Sequence, residues 1–255
     1  MPSFRISSIS ERRSYYCNEF SVDRLSSWFS CMPQFLAVDF GTESRISTDI
    51  KRIGQMVIFQ APSYPFLLRR LRESAPEDVY YDRNQYDNTA RICALISKKG
   101  RVSLQAAKGQ QLAFDLDSGN VSCPSCKKNK VLVYLVCPSC LDTIKEEVFR
   151  LVEHLSVNEG FEDVRMVYSG RGYHIHVFDK RTFSFSLRER RALIKRLYSF
   201  PIDGWVTEGN IRLIRLPYSL NGLVSRVATP LSLKELKRFN PRRSTLCLPS
   251  FIRNK

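Results

Sequence analysis

The sequence predicts an α/β fold carrying a small metal-binding module, and three observations lead there. Short apolar runs of strand length alternate with segments whose apolar residues recur at helical spacing. Two Cys-Pro-Ser-Cys pairs, Cys123 with Cys126 and Cys137 with Cys140, stand close together in mid-chain. The 255 residues, 43% hydrophobic and 25% charged, suffice to bury a core.

Each element follows from a local pattern. Val57 to Phe59 and Val79 to Tyr81 read as short strands. Between them, Pro65 to Glu73 sets Phe66, Leu67, Leu68 and Leu71 at helical spacing, with Ser63 as cap. Lys98-Lys99-Gly100-Arg101 reads as a basic turn. Leu112-Ala113-Phe114 opens an apolar strand that ends in Asp115-Leu116-Asp117. The cysteine module follows, and Val131 to Val136 can form a hairpin between its two pairs. A helix is expected from Asp142 as cap, because Ile144, Val148, Leu151, Val152 and Leu155 share one face. Glu146 and Glu147 suit the positive end of its dipole. Val164 to Tyr168 and Tyr173 to Phe178 form a hairpin around Ser169-Gly170-Arg171-Gly172. Ser186-x-x-Glu189 is a capping box ahead of Leu193, Ile194 and Leu197. Ile211 to Leu216 is the last core strand, stopped by Pro217. Ser232-x-x-Glu235 opens a short basic helix, and the tail to Lys255 is cationic. The irregular alternation argues for one α/β domain with the metal module inserted.

Forty Lys and Arg against 25 acidic residues give a net charge of +15 and a pI near 9.6. That excess favours a polyanionic partner, since each neutralised phosphate releases counterions. The longest unbroken apolar run, Val131 to Val136, is too short to cross a bilayer. Arg5, Glu11, Arg12 and Arg13 break any signal-peptide pattern, so residence in the cytoplasm is expected, with no membrane partner.

Asp115 and Asp117, two apart on a strand, project to one face. Two such carboxylates raise each other's pKa unless cations lie between them, and oxygen ligands of this kind suit magnesium or manganese. Alternatively, an Asp-x-Asp at a strand end serves as a turn and helix cap. A third acid would favour chemistry, and spacing leaves Asp203 and Glu208 both open. Cys123, Cys126, Cys137 and Cys140 can present four thiolates to one tetrahedral, structural zinc. The other four cysteines, Cys17, Cys31, Cys93 and Cys247, are scattered, which argues against a disulfide scaffold; the competing reading of the module is redox pairing or two disulfides. In the hairpin, Gly170 and Gly172 would let backbone approach a phosphate, with Arg171 as a cationic fork and His174 as a donor. The competing reading gives His174 and His176 a solvent-facing strand surface. Arg212 and Arg215 interrupt an apolar strand, so each must meet a carboxylate, a phosphate or solvent.

In order along the chain these segments resemble the archaeal/eukaryotic-type DNA primase catalytic small subunit. That family places an FDxD strand (here Phe114 to Asp117) ahead of a zinc motif (Cys123 to Cys140). An SGxRGxH segment (Ser169 to His174) follows, then a D-x-x-V-T element running into RLIRLPxSLHGK (Asp203 to Gly222). Tyr80-Tyr81 with Tyr86, and Asp39-Phe40-Gly41, are similar to weaker upstream elements. The resemblance covers most of residues 15 to 228. It implies the archaeo-eukaryotic primase catalytic core, α/β with an RRM-like sheet and an N-terminal α/β unit. Residues 1–228 would be the catalytic domain, with the zinc module 118–142 inserted, and 229–255 a basic helix and tail.

The resemblance further implies that Asp115, Asp117 and Asp203 bind catalytic Mg2+ or Mn2+, which selects Asp203 as the third acid. Ser169, Arg171, His174, Arg215 and Asn221 would attend the nucleotide. Three departures stand out: a single arginine in a shortened SGxRGxH segment, Asn221 for histidine, and Leu223 for lysine, with Arg226 as a substitute cation. These changes would weaken binding of the initiating nucleotide or shift the nucleotide preference. The implied activity is template-directed primer synthesis on single-stranded DNA from nucleoside triphosphates by two-metal transfer, with a primase large subunit as partner. Two alternatives stand beside it. One is a primase-like subunit that binds nucleic acid with weak catalysis. The other is a plasmid or viral primase-polymerase, or a repair polymerase, of the same superfamily.

Overall fold

A computed structural model describes residues 4–41, 56–99, 107–121, 123 and 136–253. In chain order the described residues form α1 (Ile9–Asn18), α2 (Val22–Trp28), β1 (Phe35–Asp39), β2 (Met56–Gln60), α3 (Tyr64–Ser74), β3 (Asp78–Asp82), β4 (Asn84–Gln85) and α4 (Thr89–Lys99). There follow β5 (Gly109–Gln110), β6 (Leu112–Asp117), α5 (Pro138–Val157), β7 (Val164–Tyr168), β8 (Gly172–Val177), α6 (Lys180–Phe183), α7 (Leu187–Arg196) and α8 (Gly204–Glu208). The chain closes with β9 (Leu213–Arg215), β10 (Leu220–Asn221), β11 (Arg226–Val227), β12 (Thr229–Leu231), α9 (Leu233–Arg238) and α10 (Ser250–Arg253).

The local signals set most boundaries. Ser63 caps α3 through the Phe66 amide, and the capping boxes at Ser186 and Ser232 open α7 and α9. Helix α5 starts at Pro138 rather than after Asp142. Proline at the first position is preorganised for a helix, so Cys137 becomes its cap residue. Lys98 and Lys99 end α4 instead of forming a turn, and Gly100 and Arg101 lie outside the described residues. The hairpin expected over Val131 to Val136 also lies outside them, except Val136. The last strand is shorter than expected. The Ile211 amide is drawn to the Trp205 carbonyl, and the Arg212 carbonyl accepts from the Arg83 amide, before β9 joins the ladder.

Two four-stranded antiparallel sheets result, in the orders β2-β1-β3-β9 and β12-β7-β8-β6. The second sheet divides its faces by the two-residue period of a strand. Leu112, Phe114, Leu116, Met166, Tyr168, Tyr173, Ile175 and Val177 pack one face against α5, whose Ile144, Val148, Leu151 and Leu155 are fully buried. The other face presents Ala113 and Val167 to a second core shared with β1, β3 and β9. Asp115, Asp117, His174 and His176 belong to that second face by the same alternation. Residues 229–253 complete the first core: β12 pairs with β7 at the sheet edge, and Leu248 and Ile252 are buried. Among the described residues, no helix is long and apolar enough to cross a membrane.

Candidate active site

Among the described residues strand β6 is an edge strand, paired only with β8, which leaves its outer backbone to another segment. The Asp203 amide takes that place, donating to the Asp115 carbonyl at 2.9 Å. Asp203 caps α8 through the Trp205 amide at 2.9 Å, and Asp117 caps the short 3-10 turn 118–120 through the Gly119 amide at 2.7 Å. The cap and the site are therefore one arrangement: each hydrogen bond fixes a carboxylate's orientation beside Asp115. Glu208, the other candidate acid, sits at the far end of α8 and meets Arg191 and Asn210.

The electrostatics agree with that convergence. The Asp115 carboxyl is pushed up to about 7, first by burial, then by the charges of Asp117 and Asp203, while Arg215 and Arg171 pull it down. Its side chain keeps 28% of its surface open. Three carboxylates thus share one field, which a divalent cation with oxygen ligands would relieve, although among the described residues only Cys123, Cys137 and Cys140 bring three ligand atoms within 4.8 Å of one another.

Directly across from Asp115 in the β6–β8 register lies His174, its Nε2 3.5 Å from Asp115 Oδ1. Asp117 faces Gly172, and a Cβ there would stand 2.1 Å from the Leu116 carbonyl oxygen. This glycine therefore serves the close approach of β8 to β6, where the sequence suggested approach to a phosphate. Arg171, in the turn, reaches Asp117 at 3.4 Å. His174 and His176 are buried between the sheets rather than solvent-facing. Burial lowers both pKa values, that of His176 to about 3, with nearby cations adding to the effect. At neutral pH both are uncharged, and among the described residues His174 Nδ1 has no hydrogen-bond partner.

Arg215 and Arg212 meet carboxylates. Arg215 donates to Asp78 at 2.6 Å and lies over the Tyr80 ring, while Arg212 pairs with Asp82. Arg215 also faces Asp115 and His174 electrostatically. Sequence reading missed Asp78, Asp82 and Arg83. The alternating Asp78-Val79-Tyr80-Tyr81-Asp82 was the available signal for the two acids. Arg83, fully buried and lowered to about 10 by that burial, donates to the carbonyls of Gln111 and Val206. It had no signal beyond its type. Tyr81 donates to Gln111 and shares a 2.9 Å hydrogen bond with His176 Nδ1.

The departures from the family motif form their own packing. Asn221 donates to the Ser169 carbonyl at 3.0 Å and sits where a Cβ on Gly170, at φ +107°, would strike it. The Ser169 amide closes the hairpin on the Gly172 carbonyl. Leu223 packs against the first core. Arg226, paired in register with Asn221, is fully buried and donates to the carbonyls of Val224, Ser225 and Pro241. Its guanidinium thus anchors the β10–β11 turn.

A second cluster gathers at the start of α5. The sulfurs of Cys123, Cys137 and Cys140 all lie within 4.8 Å of one another. Cys123 and Cys137 are 3.5 Å apart, well beyond a disulfide's ~2.05 Å and close to the separation of two thiolates on one metal ion. The three can hold a metal; Cys126 lies outside the described residues.

Comparison with known proteins gives the family. A family model described as DNA primase small subunit covers residues 114–201, from β6 to just short of Asp203. A DNA primase small subunit-like protein of Archaeoglobus fulgidus, described as uncharacterized, is 38% identical, the match covering 97% of this chain and 91% of that protein. The chain belongs to the archaeal/eukaryotic-type DNA primase small-subunit family. Another primase relative, the small subunit PriS of Pyrobaculum calidifontis, is 28% identical over 73% of this chain and 70% of its own length. The primase small subunit of Methanothermobacter thermautotrophicus is 26% identical, and the match spans 53% of that longer protein. Among solved structures, the polymerase domain of Mycobacterium tuberculosis ligase D, in complex with DNA, has the same fold. Its TM-score is 0.53 at 14% identity, covering 97% of this chain and 90% of that one.

Proposed function

We propose that this chain is a DNA primase catalytic subunit that joins nucleotides on a single-stranded DNA template by two-metal nucleotidyl transfer. The observation that carries the reading is the Asp203 amide bonded to the Asp115 carbonyl, which brings Asp203 beside Asp115 and Asp117; the charges of these two acids add to burial in pushing the Asp115 carboxyl up to about 7. Asp115, Asp117 and Asp203 would hold two Mg2+ or Mn2+ ions. Such ions activate a 3′-hydroxyl and neutralise charge on a leaving pyrophosphate.

The chain's own residues would do the rest. His174, uncharged through burial, offers a neutral hydrogen-bond donor beside Asp115 rather than a second cation. Arg171, only partly buried at the hairpin turn, can leave Asp117 for a triphosphate oxygen. Arg215, held by Asp78, contributes a fixed positive field at Asp115 without giving up its own partner. On this reading the β12-β7-β8-β6 sheet, with α5 on one face, is the RRM-like sheet of the catalytic core. The catalytic domain then extends past the expected boundary at residue 228, because β12 and the buried Leu248 and Ile252 belong to its core; Cys126 completes a structural zinc site with the other three thiolates, and a large subunit joins the chain in the cell.

Asn221 and Leu223 favour a second reading, in which the fold binds nucleic acid with weak catalysis, because both positions pack the protein instead of offering a nucleotide contact. One assay separates the two. Unprimed single-stranded DNA is incubated with labelled ribo- or deoxynucleotides and Mg2+ or Mn2+, with wild type beside Asp115→Ala. Short products that disappear in the variant are expected. DNA binding without products, with and without an added large subunit, would establish the second reading.

A further inference from the structure

Helix α7 buries Arg190 and Leu193 and turns the opposite face outward. On that outer face Arg188, Arg191 and Lys195 recur three and four residues apart, and the exposed Tyr198 (87%) follows within a turn. Arg191 meets Glu208 of α8 at 3.4 Å; among the described residues neither Arg188 nor Lys195 has an ion pair. The buried Arg190 fastens α7 to α8 by donating to the Thr207 carbonyl. At the start of α8 stands Trp205, 68% exposed, its amide bound by the Asp203 carboxylate and its carbonyl by the Ile211 amide. Of the nine large hydrophobic side chains exposed among the described residues, four lie on α7, α8 and their flanks: Leu187, Tyr198, Trp205 and Ile211. Scattered single exposures need no explanation, but a concentration beside a row of cations marks a binding surface.

We propose that this face is the track that delivers a single-stranded nucleic-acid template to the three carboxylates. Aromatic faces that accept any base, interleaved with cations that follow the phosphates, make up the chemistry of single-strand binding. The chain's +15 charge supplies the complementarity a polyanion requires. Trp205, anchored two residues from Asp203, is the stacking platform at the active-site end. Arg188, Arg191 and Lys195 carry the backbone away from it, and Arg191 exchanges Glu208 for phosphate on binding. The inference rests on the polymerase reading of the carboxylates, and its test leaves catalysis out.

The sequence holds two tryptophans, and Trp28 is buried against His176 and Phe178. Trp28→Phe therefore makes Trp205 the sole indole reporter. Oligo(dT) is titrated into that protein in EDTA, while anisotropy of labelled oligo(dT) at several salt concentrations is measured with the wild type, Trp205→Ala, Trp205→Phe and a triple Arg188→Gln, Arg191→Gln, Lys195→Gln variant. The expected results are quenching of Trp205 emission, affinity about fivefold or more lower in Trp205→Ala with recovery in Trp205→Phe, and a salt slope shallower by about 2 in the triple variant. Unquenched emission with an unchanged slope and affinity in the triple variant would overturn the track. Primer synthesis that still depends on Asp115 would then leave the polymerase reading standing. Loss of large-subunit binding in the triple variant, with oligo(dT) affinity intact, would equally overturn it and mark the face as a protein interface.

Discussion

Replacing Asp115 with Asn should stabilise the metal-free protein above neutral pH while removing its catalysis. An acid whose folded pKa exceeds its unfolded value holds its proton more tightly in the fold. Its contribution is harmless below the unfolded value of 3.8, erodes stability as pH rises through the window toward 7, and exacts the full penalty above 7. The full displacement at ~1.36 kcal/mol per pKa unit sets a ceiling of roughly 4 kcal/mol. Partial solvent access lowers this to about 2–3 kcal/mol. At roughly 2–4 °C per kcal/mol for a chain of this size, the variant should melt about 4–12 °C above the wild type at pH 8 in EDTA, and level with it near pH 4. His174 and His176, buried uncharged, titrate in the opposite sense, so the difference between the two proteins, not either curve alone, reports Asp115. Adding Mn2+ should raise the melting temperature of the wild type and leave the variant nearly unmoved. Parallel curves across pH 4 to 8, or a variant less stable than wild type at pH 8, would refute the claim that the three carboxylates share one field.

Gly172→Ala should disturb the site through backbone alone, because the added methyl would lie 2.1 Å from the Leu116 oxygen and 2.8 Å from Asp117 Cα. Overpacking of this kind costs about 1–3 kcal/mol, and primer synthesis should fall further than that loss explains. Gly204→Ala, whose methyl meets nothing within 4 Å, should leave the melting temperature unchanged. Chelation should strip zinc and lower the wild-type melting temperature. Cys140→Ser should carry no zinc by elemental analysis and show no response to chelator; retained stoichiometric zinc would separate that thiol from the metal.

The strands and helices were legible where one pattern dominated. Leu112 to Asp117 announced both the strand and the shared face of its acids, and the Ser186 and Ser232 capping boxes placed two helix starts. Long-range pairings were less accessible. Nothing in the spacing of Asp203 says that its amide will close the free edge of β6 at Asp115. The partners of Arg212 and Arg215 lie on a strand 130 residues earlier or more, so only the need for partners could be read, not their identity. His174 and His176 alternated with apolar residues as a half-exposed strand would. A second sheet packs over them, and that layering is a property of the whole chain. Arg226 was misleading for a related reason: a cation near a phosphate-binding motif can as readily satisfy carbonyls at a turn.

Arg83 and Arg190 carry a consequence of a different kind. One guanidinium joins Gln111 to Val206, the other joins Gln110 to Thr207, and the Asp203 amide bonds Asp115 four residues further on. The strand bearing two acids and the short helix bearing the third are thus riveted at three points, none of which involves a carboxylate side chain. The gap between the acids is gauged by main-chain geometry, so loops elsewhere can lengthen or shorten without altering it. Longer relatives, such as the Methanothermobacter thermautotrophicus subunit, of which the match spans 53%, carry further residues that such a frame could accommodate without a change in that spacing.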